Sequence, residues 1–95
     1  MKYLFEPRGV AIIGASQTPG KIGYKVVENV VEGGYQGKIY PINPKGGEML
    51  GLPVYKAMQD IPGPVDVAAV VVPAELAFNA IEECARKEVK FAVII

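Results

Sequence analysis

Apolar residues in this chain fall into short unbroken runs, and the stretches between them change period. The first run, Gly9-Val10-Ala11-Ile12-Ile13-Gly14, predicts a strand buried on both faces. From Pro19 to Glu32 the pattern turns helical. Ile22, Val26, Val27, Val30 and Val31 share one stripe, while Lys21, Lys25, Glu28 and Glu32 face away. Thr18 before Pro19 predicts an N-cap and a first helical position, and Gly33-Gly34 ends the helix. Lys38 to Asn43 reads as a second strand, stopped by Pro44. Leu52-Pro53-Val54-Tyr55 reads as a short third strand, whose proline favours an edge. Val67 to Val72 is a fourth strand, apolar throughout and closed by Pro73. Ala74 to Lys87 then forms an amphipathic helix with Ala74, Ala77, Phe78, Ile81, Cys84 and Ala85 inward, and Phe91 to Ile95 is a fifth strand.

Doubly apolar strands alternating with helices predict an α/β fold: one parallel sheet with helices on both faces. The expected strand order is 3-2-1-4-5, with the switch point between the first and fourth strands. Ligands of such sheets bind beyond the carboxyl ends of the strands at that point.

Composition narrows the function. Ten basic and ten acidic residues give a net charge of zero, which argues against generic nucleic-acid binding. A hydrophobic content of 51% rules out disorder. One cysteine, Cys84, allows neither an internal disulfide nor a Cys-rich zinc cluster, and its place on the apolar stripe makes it a core residue. Histidine is absent, so there is no His base, His metal ligand or His-paired nucleophile. No apolar run approaches the roughly 20 residues of a membrane helix, and the start lacks the apolar core of a secretory signal. A cytoplasmic domain that binds neither membrane nor nucleic acid is expected. Glu82 and Glu83 read as a solvated face, Asp66 as a turn cap, and Tyr3, Phe5 and Tyr40 as packing residues.

Three loops follow the carboxyl ends of predicted strands: residues 14–20, 43–47 and 73–75. The first should dominate, because a Gly-containing loop entering a helix offers free backbone N–H groups and the positive end of a dipole to a diphosphate. Ser16 adds a hydroxyl, and Gly23 permits close packing of the helix on the sheet. The spacing is neither Gly-x-Gly-x-x-Gly nor the P-loop pattern, since Gly20 and Gly23 follow Gly14 and Ile22 follows Lys21. The second loop discriminates better. NAD sites place an acid at the end of the second strand, whereas this strand ends in Asn43-Pro44-Lys45. A lysine there attracts a phosphate on the ribose, which points to NADP or to coenzyme A. Residues 1–47 carry six basic and three acidic side chains, and residues 48–95 carry four and seven, so two of the three loops lie in the positive half.

The run Phe5-Glu6-Pro7-Arg8-Gly9-Val10-Ala11-Ile12-Ile13-Gly14-Ala15-Ser16, followed by Pro19-Gly20-Lys21-Ile22-Gly23, resembles the opening of ADP-forming acyl-CoA synthetases. These are the acetate–CoA ligases related to the succinyl-CoA synthetase alpha subunit. The resemblance continues through Gly37-Lys38-Ile39-Tyr40-Pro41-Ile42-Asn43-Pro44-Lys45, Glu48-Met49-Leu50-Gly51, Asp60-Ile61-Pro62, Val65-Asp66-Val67-Ala68, Val72-Pro73-Ala74 and Glu82-Glu83-Cys84, and so spans essentially the whole chain. Position 9, commonly Ser in the family, is Gly here.

This resemblance implies a Rossmann-like CoA-binding domain. It places Gly14, Ala15 and Ser16 on the CoA phosphates with Lys21 nearby. Pro41, Asn43 and Lys45 would lie along the adenosine and its 3′-phosphate, and Val72 and Pro73 along the pantetheine. The family converts acyl-CoA, ADP and phosphate to acid, CoA and ATP through an acyl phosphate and a phosphohistidine. That histidine lies in a following domain, so the expected partners are downstream ligase domains or an ATP-grasp subunit. In the family the last strand runs on into a Ser/Gly-rich loop, so a chain ending at Ile95 is expected to be an N-terminal piece that self-associates through its last strand. Two other functions share these features: a non-catalytic CoA-binding regulator and an NADP-dependent oxidoreductase.

Overall fold

The computed structural model describes residues 8–95. The packing expected of Tyr3 and Phe5 lies outside the described residues. Along the chain run β1 (Gly9–Ile13), α1 (Ile22–Glu32), β2 (Lys38–Ile42), β3 (Glu48–Met49), β4 (Leu52–Pro53), a 3-10 turn (Met58–Asp60), β5 (Val67–Val70), α2 (Ala74–Arg86) and β6 (Phe91–Ile94). The main sheet is parallel, in the order β2-β1-β5-β6.

Alternation along β1 sorts the core into two layers. Ile12 packs with Val27 of α1 on one face, while Ala11 and Ile13 join Ala68, Val70, Ala80 and Cys84 under α2 on the other. Ile12 and Val27 are fully buried, each contributing about 1.5–3 kcal/mol relative to exposure. The two helices therefore cover opposite faces, as the apolar strands predict. Burial pushes the Cys84 thiol up, away from its reactive form. Among the described residues, no helix is long and apolar enough to cross a membrane.

Three expectations need correction. The segment expected as the third strand does not extend the sheet. Leu52–Pro53 pairs antiparallel with Glu48–Met49, and Tyr55 joins β2 through one parallel bridge to Ile42. The left-handed turn at Leu50 and Gly51 (φ +51° and +79°) folds this stretch back onto Glu48–Met49 as a small hairpin. The first helix starts at Ile22 and not at Pro19. Thr18 donates its N–H to Ser16 Oγ (3.1 Å), Lys21 donates to the Thr18 carbonyl (3.2 Å), and Lys21 is the N-cap. Ile22, expected inward, is 64% exposed. In α2 the buried residues are Ala80 and Cys84, with Ala77 half-buried, whereas Phe78 is 71% exposed and Ile81 also lies outward. Small side chains let the helix approach the sheet, and the bulky ones are turned to the opposite side. With Phe91, Val93 and Ile94 of β6, several large apolar side chains lie exposed at this end of the molecule.

At the amino end of the sheet, Asp66 does more than cap a turn. Its buried carboxylate accepts from Arg8 at Nη2 (2.8 Å), at Nε (3.0 Å) and at the backbone N–H (2.9 Å). The Arg8 side-chain hydrogen bonds, then its backbone bond, hold the Asp66 carboxyl well below the usual carboxylate range. A depressed folded-state pKa contributes stability above the unfolded value, near 4, and that contribution is lost as pH falls through the folded value. Asp66→Asn is therefore expected to melt below the wild type at pH 7. Melts from pH 7 to 2 should show the gap narrowing below about pH 4. A gap that stays constant to pH 2 would remove Asp66 as its source.

Candidate functional site

The strand register brings the carboxyl ends of β1, β2 and β5 to one rim, because Ile13 lies level with Ile42 on one side and Val70 on the other. Beyond that rim the chain turns sharply. Gly14 has φ +95°, in the left-handed region that disfavours any Cβ. The N–H groups of Gly14 and Ala15 both donate to the Ile42 carbonyl at 3.1 Å, folding the first loop over the end of β2. Gly23 of α1 sits against this turn: a Cβ there would fall on the Gly14 carbonyl oxygen and lie 3.0 Å from the Ser16 nitrogen. Glycine at 23 thus lets the helix start approach the loop.

The opening of α1 suits an anion. Its N-cap, Lys21, makes no side-chain capping bond, and its first turn holds no acidic residue. Tyr24 donates its N–H to the Lys21 carbonyl at 3.1 Å, so among the described residues the Ile22 and Gly23 N–H groups are the ones left without an acceptor for a phosphate to meet. By contrast, α2 begins with Glu75 in its first turn. Ser16 is half-buried. Its Oγ accepts from Thr18, which leaves the hydroxyl proton free to donate.

The second loop is tied to the first. Asn43 donates from Nδ2 to the Ala15 carbonyl at 2.7 Å and accepts the Lys45 N–H on Oδ1 at 2.8 Å. Its own N–H donates to the Tyr55 carbonyl at 2.8 Å. Lys45 is exposed, with no ion pair among the described residues. Gln17 was not singled out from the sequence, yet its Nε2 donates to the carbonyls of Glu48 (2.9 Å) and Gly46 (3.3 Å). Only its position in the loop hinted at this.

The structure therefore brings Gly14, Ala15, Ser16, Asn43 and Lys45 together at the carboxyl rim of the sheet, beside the crevice expected at its switch point, with Lys21 exposed at the helix start. Val72 is half-buried beside it, its Cγ1 2.9 Å from where a Cβ on Gly14 would lie, and Pro73 is the exposed N-cap of α2. Pro41 is different: it is fully buried in β2, one residue below the rim, and its carbonyl accepts from Tyr55 at 2.8 Å. Its side chain lies in the sheet and does not line the crevice. A separate depression lies between the 3-10 turn and α2, lined by Met58, Glu83, Arg86 and Lys87 among others, and it includes no residue of these loops. Among the described residues, no group of His, Cys, Asp and Glu side chains is placed to hold a metal ion.

Residues 8–95 match the family model described as a CoA-binding domain. The chain is 50% identical over 99 aligned residues to the acetate–CoA ligase (ADP-forming) I subunit alpha of Pyrococcus furiosus, covering all of this chain and 21% of that one. It is 47% identical over 95 residues to the acetate–CoA ligase (ADP-forming) of Methanocaldococcus jannaschii, covering all of this chain and 13% of that protein. A solved structure of the dinucleotide-forming acetyl-coenzyme A synthetase 1 of Ca. Korarchaeum cryptofilum, in complex with phosphate and ADP, superposes with a TM-score of 0.91. It is 43% identical, covering 96% of this chain and 20% of that one. The chain thus spans about a fifth or less of each of these proteins.

Proposed function

Because residues 8–95 match its model, this chain belongs to the CoA-binding domain family, and from that premise we propose that it is the CoA-binding module of an ADP-forming acyl-CoA ligase. One observation carries the reading. A glycine turn and a loop carrying Lys45, which has no ion pair among the described residues, are bonded to each other at the carboxyl rim of a parallel sheet. The Gly14 and Ala15 N–H groups, expected to be free, are spent on the Ile42 carbonyl and shape the turn; in this reading the diphosphate lies over that turn and is met by the Ser16 hydroxyl and the start of α1, with Lys21 beside it. The 3′-phosphate of the adenosine meets Lys45. Asn43 holds the adenosine loop in place, and Pro41 supports it from within the sheet. Val72 and Pro73 flank the pantetheine as it runs toward the acyl chemistry.

Without histidine the chain has no site for a phosphohistidine. The phosphoryl steps then belong to further ligase domains or an ATP-grasp subunit, and the chain acts by holding the thiol carrier. Exposed Phe78, Phe91, Val93 and Ile94 are where we place the contact with such domains, since apolar surface of this kind marks interaction sites. A cytoplasmic setting, where CoA is turned over, accords with this role.

CoA and NADP share adenosine, diphosphate and a ribose phosphate, so a direct competition separates them. Saturation-transfer NMR on one sample holding both is expected to show transfer to CoA protons, pantetheine included, and none to the nicotinamide. In parallel melts, about 1 mM CoA should stabilise by about 0.4 kcal/mol even at millimolar affinity. Transfer to NADP alone would overturn the CoA reading.

A further inference from the structure

The two loops of the crevice are bridged twice by side chains, and the Gln17 bridge has no counterpart in the motifs that identify the family. Gln17 is an exposed residue whose amide nitrogen serves two carbonyls, those of Gly46 and Glu48, across 29 and 31 positions of sequence. One NH2 group has two protons, and two acceptors face it, so both are used. The opposite orientation of the amide would set its oxygen against two carbonyl oxygens. Space for the amide comes from Gly47, where a Cβ would lie 2.6 Å from Nε2.

The segment so held carries Lys45. On the amino side the Lys45 N–H is fixed by Asn43 Oδ1, and on the carboxyl side the Gly46 carbonyl is fixed by Gln17. Between these bonds and β3 lie Gly46 and Gly47, both at positive φ (+67° and +98°). Glycines of this kind give the loop many alternative backbone states unless something outside it selects one. Asn43 holds the start of the loop, its carbonyl also accepting the Gly46 N–H at 2.9 Å, and Gln17 holds the end together with the Val54 N–H, which donates to the Gly47 carbonyl at 2.8 Å. A loop already held in its binding conformation spares the ligand the ordering cost.

We propose that Gln17 is a positioning residue that holds Lys45 at a fixed separation from the diphosphate turn, and so sets part of the preference for a ligand phosphorylated on its ribose as well as in its diphosphate. This rests on the CoA reading above. Gln17 need not touch the ligand; it acts through the backbone on either side of Gly46.

Calorimetry with CoA and with dephospho-CoA, on wild type, Gln17→Met, Lys45→Ala and the double variant, tests this. Methionine keeps the length of the side chain and removes both donors. Because Gln17 is exposed, a melt within a few degrees of wild type is expected. Gln17→Met should weaken CoA about three- to tenfold, the range that loss of ordinary hydrogen bonds gives, and dephospho-CoA by less than about twofold. In the Lys45→Ala background it should add no further loss, because its effect passes through Lys45. Equal losses for the two ligands, or full additivity with Lys45→Ala, would overturn the proposal. The arms separate the two readings. If Lys45→Ala lowers the preference for CoA and Gln17→Met does not, only the positioning role falls. If Lys45→Ala itself leaves that preference unchanged, the CoA assignment of the crevice falls, and the role of Gln17 with it.

Discussion

Gly14→Val is expected to lower the melting temperature by about 12–24 °C and to remove CoA binding below the transition. Two costs combine. The residue sits at φ +95°, and a Cβ would fall on the Val71 carbonyl oxygen and within 2.9 Å of Val72 Cγ1. A non-glycine residue held at such a φ costs about 1–3 kcal/mol, and overpacking adds a similar amount. Taking about 3 kcal/mol together, each kcal/mol moves the transition of a domain this size by about 4–8 °C. Because the collision begins at Cβ, Gly14→Ala should show most of the same loss. Thermal melts by circular dichroism measure both variants, and calorimetry with CoA at low temperature measures binding. An alanine variant melting within about 3 °C of wild type, well under the shift expected per kcal/mol, would mean the turn moves aside easily. In that case its geometry could not be what orients the diphosphate.

Lys45→Ala addresses the other end of the ligand and leaves the fold alone. Lys45 is exposed, and its backbone N–H, which bonds Asn43 Oδ1, survives the substitution. A charge-assisted bond to phosphate contributes about 1.5–3 kcal/mol, so CoA should bind roughly 10- to 150-fold more weakly. Dephospho-CoA, which lacks the 3′-phosphate, should lose far less. The CoA loss should also shrink as salt is raised, since an exposed charge pair is screened. Equal losses for the two ligands would remove Lys45 from the 3′-phosphate.

β1, β2, β5, β6 and the two helices were legible because each is long enough for its period to show, and the doubly apolar runs at Val10–Ile13 and Val67–Val70 form the two central strands. What the residues hid was rotation and pairing. In α2, apolar side chains occupy two adjacent stripes, and periodicity alone does not tell which one meets the sheet. The small residues Ala77, Ala80 and Cys84 meet it, and Phe78 does not. In the hairpin, the turn at Leu50-Gly51 places a leucine at φ +51°, an unusual residue for a left-handed position, so no turn signal marked it. Helix α1 starts late because Gly20 at φ +97° and the extended Lys21 interrupt a helical run from Pro19, and Lys21 becomes the N-cap. In the crevice, the glycines and Lys45 carried a chemical signal of their own. Gln17 did not, because its role depends on a loop 29 residues away that sequence order does not bring near.

The order of strands in space also sets a timetable for synthesis. β1 emerges first but needs two neighbours, pairing Val10 with Ile39 on one side and with Val67 on the other. At about 5–20 residues per second, roughly 1.5–6 s pass between the arrival of Ile39 and that of Val67. During that interval the nascent chain carries β1 with one long edge open, and Arg8 waits for an Asp66 that lies 58 residues downstream. Open edges of this kind are where chains stick to one another. Val71, Val72 and the third wall of the crevice come later still. On the proposed reading, a ligand bound at that rim stabilises only the finished sheet and cannot shield the open edge of the nascent chain.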